Sequence, residues 1–200
     1  MKVLLHICCA PCAAYPVEYL KKKGVEVTGF WYNPNIHPYL EYRKRLHEVR
    51  RLSRIMDFPL VERDIYNLVP YLRAIINRPK NANRCDVCYR FRLTQSARYA
   101  AEANFDAFTT TLLYSKYQRH ESIKRIGEEL AEKFGTKFFY ADFREGWSRG
   151  LKLSRKFKLY RQQYCGCIIS ELERFYKNAD LVLEHFEWKP RPKKSVETKQ

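Results

Sequence analysis

Apolar positions along the chain alternate between two periods. Lys2 to Ile7 (KVLLHI) is a short apolar run bounded by turn chemistry, the pattern of a buried strand. Pro11 suits a first helical turn, and the stretch through Lys23 predicts a helix that Gly24 closes. Val25 to Tyr32 (VEVTGFWY) alternates and is rich in β-formers, giving a second strand. Beyond a loop at Asn33 to Pro38, Glu41 to Met56 sets Leu46, Val49 and Ile55 among basic residues, as an amphipathic helix with a cationic outer face would. A short strand near Leu60 to Val61 follows, then a helix from about Asn67 to Ile76, a polar loop RPKNANR and a helix over about Cys88 to Glu102. In the second half Phe105 to Leu113 predicts a strand, Glu121 to Phe134 a helix and Thr136 to Tyr140 a strand. Tyr164 to Cys167 reads as a tight element before a helix capped by Ser170, with Glu173 completing a capping box.

Strands alternating with helices imply parallel βαβ units in a layered α/β fold with a mainly parallel sheet. Ligands in such folds sit beyond the carboxyl ends of the strands, and Cys8 and Cys9 come directly after the first one. The 200 residues leave room for one domain, placed at 1–186 as an α/β catalytic unit. Residues 187–200 read as a basic, disordered tail: Lys189 to Gln200 carries five basic residues against one acidic, two prolines and no apolar periodicity.

A hydrophobic fraction of 46% and an aromatic fraction of 15% supply a real core and exclude a disordered or collagenous chain. The net charge of +16 points to a polyanionic partner, nucleic acid first. No apolar run approaches the roughly 20 residues of a membrane span, and MKVLLHICCAPC lacks the length and cleavage site of a signal peptide. A cytoplasmic protein with no membrane partner is expected.

Seven cysteines in such a compartment call for chemistry other than structural disulfides, because thiols there are kept reduced. They fall in three groups: Cys8, Cys9 and Cys12; Cys85 and Cys88; Cys165 and Cys167. Cys85-Asp86-Val87-Cys88 can turn two thiolates toward one centre at a helix start. With Cys8 and Cys9 that makes four thiolates, enough for tetrahedral zinc or a 4Fe-4S cluster. Neighbouring side chains diverge, so a cube with separate iron corners, or two metal centres side by side, is easier to reach than one small ion, and iron-sulfur is favoured over structural zinc. The bland alternative for Cys8 is a buried apolar residue under the strand. A disulfide across Gly166 would close a very small, strained ring, better suited to passing electrons than to holding a fold, with two inert thiols or one ligand and a bystander as the plain alternatives. Cys12 lies about one turn further on, placed to ligate a second metal or only to pack. There is no Walker A loop, no S-G-G-x-D-S and no G-x-G-x-x-G, so reducing equivalents would enter through metal and thiols.

Six segments together carry a resemblance. H-I-C-C-A-P-C (His6 to Cys12), F-W-Y-N-P-N-I-H-P (Phe30 to Pro38), R-C-D-V-C-Y-R-F-R-L (Arg84 to Leu93), F-T-T-T-L-L-Y-S (Phe108 to Ser115), D-F-R (Asp142 to Arg144) and Y-R-Q-Q-Y-C-G-C (Tyr160 to Cys167) closely resemble the QueH family, the cobalamin-independent epoxyqueuosine reductases. The resemblance runs in one order over about residues 2 to 175. It implies a HUP-like fold with an iron-sulfur site at the carboxyl ends of the strands. It also implies the last step of queuosine biosynthesis, removal of the epoxide oxygen of epoxyqueuosine at the tRNA wobble position, with an electron donor that the sequence does not identify. By the same resemblance Cys8, Cys9, Cys85 and Cys88 are the cluster ligands and Cys165 with Cys167 a redox-active disulfide. A further, mononuclear iron held by cysteine and aspartate points to Cys12 with Asp86 or Asp142.

Removing an epoxide oxygen consumes two electrons and two protons and releases water. Asp142, Tyr164 and His6 are the candidate proton donors, each with a structural alternative. Arg43, Lys44, Arg45, Arg50, Arg51 and Arg54, the basic residues of Arg78 to Arg92 and those of Lys152 to Arg161 are candidate phosphate contacts, and Trp31, Tyr32 and Tyr39 candidate stacking residues. Two other classes compete. A zinc-stabilised RNA-binding module leaves Cys165-Gly166-Cys167 unexplained, and a thiol-disulfide oxidoreductase would need no iron.

Overall fold

The computed structural model describes residues 1–177. The tail placed at 187–200 lies outside the described residues. Strands β1 (Lys2–His6), β2 (Glu26–Trp31), β3 (Leu60–Glu62) and β4 (Ala107–Thr110) form one sheet in the order β3-β2-β1-β4. Every pairing is parallel. The connections are helical: α1 (Ala10–Lys22), α2 (Tyr39–Ile55), α3 (Leu68–Ile76) and α4 (Arg84–Glu102), with α5 (His120–Phe134), α6 (Trp147–Lys156) and α7 (Ile168–Phe175) following β4.

Alternation along β1 divides the core. Val3 and Leu5 face a layer built from α1 and α2, joined by Leu153 of α6, whereas Leu4 faces α4 and α5 together with Phe30 and Phe108. Each such fully buried side chain contributes roughly 1.5–3 kcal/mol relative to exposure. A third, smaller cluster joins Tyr71 and Ile75 of α3 to Cys88, Cys167 and Ile169. Strand order reverses direction between β1 and β4, so the crevice of this sheet opens beyond the carboxyl ends of those two strands.

Several expected boundaries move for local reasons. Helix α4 begins four residues earlier than the apolar pattern implies, because the Asn83 side chain accepts from the Cys85 backbone N at 2.9 Å and caps the helix there. Cys85 and Cys88 therefore sit in its first turns. The strand expected to run to Leu113 stops at Thr110, whose hydroxyl accepts from Leu112 N and turns the chain into a 3-10 helix over Thr111–Tyr114. Thr136 to Tyr140 is not a strand: it makes a single bridge, Phe108 with Phe138. The Ser170–Glu173 capping box does not form. Cys167 is the cap of α7, its Sγ accepting from Ser170 N at 3.4 Å, and Glu173 instead binds Arg84.

Candidate functional site

Cys8 and Cys9 occupy the link from β1 to α1, and Cys12 lies in the first turn of α1. Their sulfurs lie within 4.8 Å of one another, and among the described residues this is the one such group of three metal-ligating side chains. The Cys8 and Cys9 sulfurs are 3.8 Å apart. The expected divergence of neighbours is thus corrected: Cys9 is extended (φ −171°, ψ 159°) at the start of α1, and the bend brings both thiols to one side. A metal–sulfur bond of about 2.3 Å in tetrahedral geometry puts two thiolates about 3.8 Å apart, so these three sulfurs can hold a metal. Cys12 joins the first pair in this group of three, and Cys85 and Cys88 stand outside it.

The surroundings suit a thiophilic metal. Thr111, just past β4, donates its hydroxyl to Cys8 Sγ at 3.3 Å and accepts from Cys8 N at 3.1 Å, so the turn ending β4 fixes the one ending β1. Gln162 Nε2 donates to Cys9 Sγ at 2.7 Å. Hydrogen bonds from the Cys12 and Cys9 thiols hold the Cys8 thiol well below its ordinary range against the cost of burial. Burial pushes the Cys9 thiol up.

Cys85 packs with Cys8 and Cys9 in the apolar layer under α4, while Cys88 meets Cys167 in the third cluster. Burial pushes the Cys88 thiol up to about 12, with Arg92 opposing it. Arg92, one turn along α4, is 1% exposed and sends Nη2 to Cys88 Sγ at 3.2 Å. Burial works against its charge, yet the sulfurs of Cys88, Cys165 and Cys8 outweigh that cost and keep it above its ordinary value. A cation therefore stands among all three cysteine groups.

The C-G-C segment is held by its backbone. Arg45, also buried, donates to the carbonyls of Cys165 (2.9 Å) and Tyr164 (3.2 Å) while its Nε binds Glu41. Gly166 has φ +126°, and a Cβ there would stand 3.0 Å from Arg45 Nη1. Gly166 O accepts from His37 N, and Tyr164 Oη donates to His37 O at 2.5 Å. This is what the N-P-N-I-H-P loop does. Cys165 Sγ accepts from Gln118 at 3.4 Å, and Cys167 Sγ accepts from Ser170 N at 3.4 Å.

The other candidates are engaged elsewhere. The Asp86 carboxylate lies 3.4 Å from Arg125 and 3.8 Å from Arg119. Asp142 caps the 3-10 turn Phe143–Gly146 and grips Arg144 at 2.8 and 2.6 Å; that guanidinium lowers its pKa to about 2. His6 is fully buried between Thr110 and the Tyr32 carbonyl, and burial, helped by Arg92, lowers its pKa to about 4. Trp31 is buried and cannot stack on a base. On α2, Arg43, Arg50 and Arg51 pair with Asp64, Glu62 and Glu48, so much of its cationic face is already neutralised.

Cys8, Cys12, Arg92, Gln118, Gln162 and Cys165 line one cavity of about 650 Å³, whose outer wall includes Tyr117, Trp147, Arg161 and Arg174. That size lies within the about 300–1,000 Å³ of small-molecule sites. Thr111, Gln118 and Gln162 were not singled out as site residues by sequence reasoning, and Arg45 and Arg92, expected as phosphate contacts, are buried against the cysteine segments instead. Most lie inside the quoted motifs, but only folding shows which sulfur each one serves.

The family model for "Epoxyqueuosine reductase QueH" matches residues 3–173. An epoxyqueuosine reductase QueH of Dehalococcoides mccartyi is 42% identical over 179 residues, covering 88% of this chain and 96% of the relative. That of Thermotoga maritima is 34% identical over 189 residues, covering 90% and 95%. Among solved structures, the N,N'-diacetylchitobiose deacetylase of Pyrococcus horikoshii aligns with a TM-score of 0.38 at 12% identity over 92% of this chain and 78% of that one, too distant to bear on the fold. No helix among the described residues is long and apolar enough to cross a membrane. On the match over residues 3–173 of its 200, the chain belongs to the epoxyqueuosine reductase QueH family.

Proposed function

We propose that this chain is an epoxyqueuosine reductase that removes the epoxide oxygen of epoxyqueuosine in tRNA, the last step of queuosine biosynthesis, as a cytoplasmic enzyme. One observation carries the reading: sulfurs from the first and third cysteine groups, Cys8, Cys12 and Cys165, border the same cavity as the buried cation Arg92. The parallel order β3-β2-β1-β4 supports a HUP-like assignment, with the site at the carboxyl ends.

In this reading Cys8, Cys9, Cys85 and Cys88 bind a 4Fe-4S cluster, with Cys12 left for an adjacent mononuclear iron. Asp86 turns Oδ2 toward Arg125 and has a buried Oδ1 that accepts no hydrogen bond among the described residues, the oxygen with which it would join that iron. Such iron, when bound, supplies single electrons and a Lewis acid. Cys165 and Cys167 provide the matching two-electron couple: passing from dithiol to disulfide releases two electrons and two protons, the amounts that convert epoxide to alkene and water. Arg92 stabilises negative charge developing on the departing oxygen. Asp142, held ionised by Arg144, serves as the anchor of the turn that leads into Trp147 rather than as a proton donor. A zinc-stabilised module or a general thiol-disulfide exchanger accounts for neither the family match nor the shared cavity.

The test is to incubate anaerobically reconstituted protein with epoxyqueuosine-containing tRNA and a chemical reductant, then digest and weigh the nucleoside. A product lighter by one oxygen supports the reading; an unchanged nucleoside alongside iron-loaded protein overturns it.

A further inference from the structure

The cavity that holds the cysteines has room for one nucleoside and none for a duplex. A nucleoside reaching Cys12 and Cys165 must therefore leave its stack, and its chain neighbours must stay at the mouth. The mouth is built differently from the rest of the surface. Trp147 stacks on Tyr114 with centroids 5.3 Å apart and planes at 22°, which fixes the indole. A Cβ on Gly150 would meet the Tyr114 hydroxyl at 2.1 Å, so the backbone of α6 closes directly on that ring. Tyr117 stands edge-on to Trp147 at 6.4 Å and is 64% exposed, and the Lys116 ammonium lies 5.1 Å from the indole centroid.

Charge separates this rim from the cationic helix α2. Arg43, Arg50 and Arg51 are tied to carboxylates, whereas Arg161 and Arg174, both exposed on the cavity wall, make no ion pair with a carboxylate among the described residues. Cations left for solvent beside an ordered aromatic pair are what a single-stranded nucleic acid needs: rings for bases of any identity and guanidinium groups for the flanking phosphates. We infer that Tyr117 and Trp147 stack an unpaired nucleobase adjacent to the reacting nucleoside, while Arg161 and Arg174 take its neighbouring phosphates. The inference rests on the reading of the cavity as an RNA-modifying site and assigns the RNA-facing rim to that site. It moves RNA recognition away from α2 and Trp31.

The experiment measures binding of an unmodified anticodon stem-loop RNA to the full chain at several salt concentrations, with tRNA reduction by the unaltered protein followed separately. Base stacking is worth roughly 1–3 kcal/mol, so Tyr117→Leu should weaken binding about tenfold or more while Tyr117→Phe, which keeps the ring, binds nearly as the unaltered protein does. Arg161→Ala and Arg174→Ala should each lower the slope of log affinity against log salt by about one. Lys23→Ala removes an equal charge from the exposed C-cap of α1, just before the start of β2 and so at the amino ends of the strands, away from the cavity, and should leave that slope unchanged. The inference is overturned if Tyr117→Leu binds like Tyr117→Phe, or if Lys23→Ala lowers the slope as much as Arg174→Ala. Should Tyr117→Leu fail to fold, the arginine variants decide. Failure of the unaltered protein to reduce tRNA would count against the proposed function and not against this rim.

Discussion

The guanidinium of Arg92 lies 3.2 Å from the Sγ of Cys88 and has no carboxylate partner among the described residues. A buried cation needs buried acceptors, and besides that sulfur its Nε donates to the Cys88 carbonyl at 3.4 Å. Arg92→Met should therefore cost about 3 kcal/mol in urea unfolding of anaerobically purified protein, in line with removing one member of a buried pair. Arg92→Lys keeps the charge and should recover part of the loss. An unfolding midpoint for Arg92→Met equal to that of the unaltered protein would mean that the sulfurs carry no charge there.

Gly166 is the hinge on which the two sulfurs of the C-G-C segment turn. At φ +126°, with Arg45 Nη1 3.0 Å and Ile36 Cγ1 3.1 Å from a Cβ, Gly166→Ala meets both backbone strain and crowding. A stability loss of about 1–3 kcal/mol is expected, together with loss of tRNA reduction. Normal turnover by Gly166→Ala would show that the backbone position of Cys165 and Cys167 is immaterial.

Gln162 donates to Cys9 Sγ at 2.7 Å. Groups that orient metal ligands typically cost about 10–100-fold in metal affinity when removed, so Gln162→Ala should release metal to a competing chelator at correspondingly lower concentration. Equal retention would assign this hydrogen bond to packing alone.

His6 sets a pH dependence of stability. In the unfolded chain it protonates below about 6.5, whereas burial keeps it neutral in the fold down to about 4. Between those values the unfolded state binds the extra proton, so stability falls as pH falls from about 6.5 to about 4 and levels off below. The full span is on the order of 3 kcal/mol. Urea unfolding at a series of pH values should show that arm, and His6→Gln should flatten it. An arm that survives in His6→Gln belongs to another group.

The sheet was legible because β1 and β2 carry unbroken apolar and alternating runs, whose burial in parallel layers needs no distant information. Phe105 to Leu113 and Thr136 to Tyr140 were misread for one reason: β-forming residues pack as well in a 3-10 turn or a single bridge, and the Thr110 side chain, not propensity, ends the strand. Spacing grouped the cysteines, yet it could not say that Cys9 bends back to join Cys8 and Cys12, since that depends on the turn at the start of α1. Arg45 and Arg92 looked like surface charge. What distinguishes them is a register on α2 and α4 that turns each one inward, toward a backbone carbonyl or a sulfur.

Iron, acid-labile sulfide and zinc assayed on anaerobically purified protein, with the visible spectrum alongside, bear most directly on the proposed centre. Bound iron and sulfide with broad visible absorbance, diminished in both Cys8→Ser and Cys85→Ser, are the expected result. Protein that holds zinc alone, colourless and indifferent to either substitution, would contradict the iron-sulfur reductase.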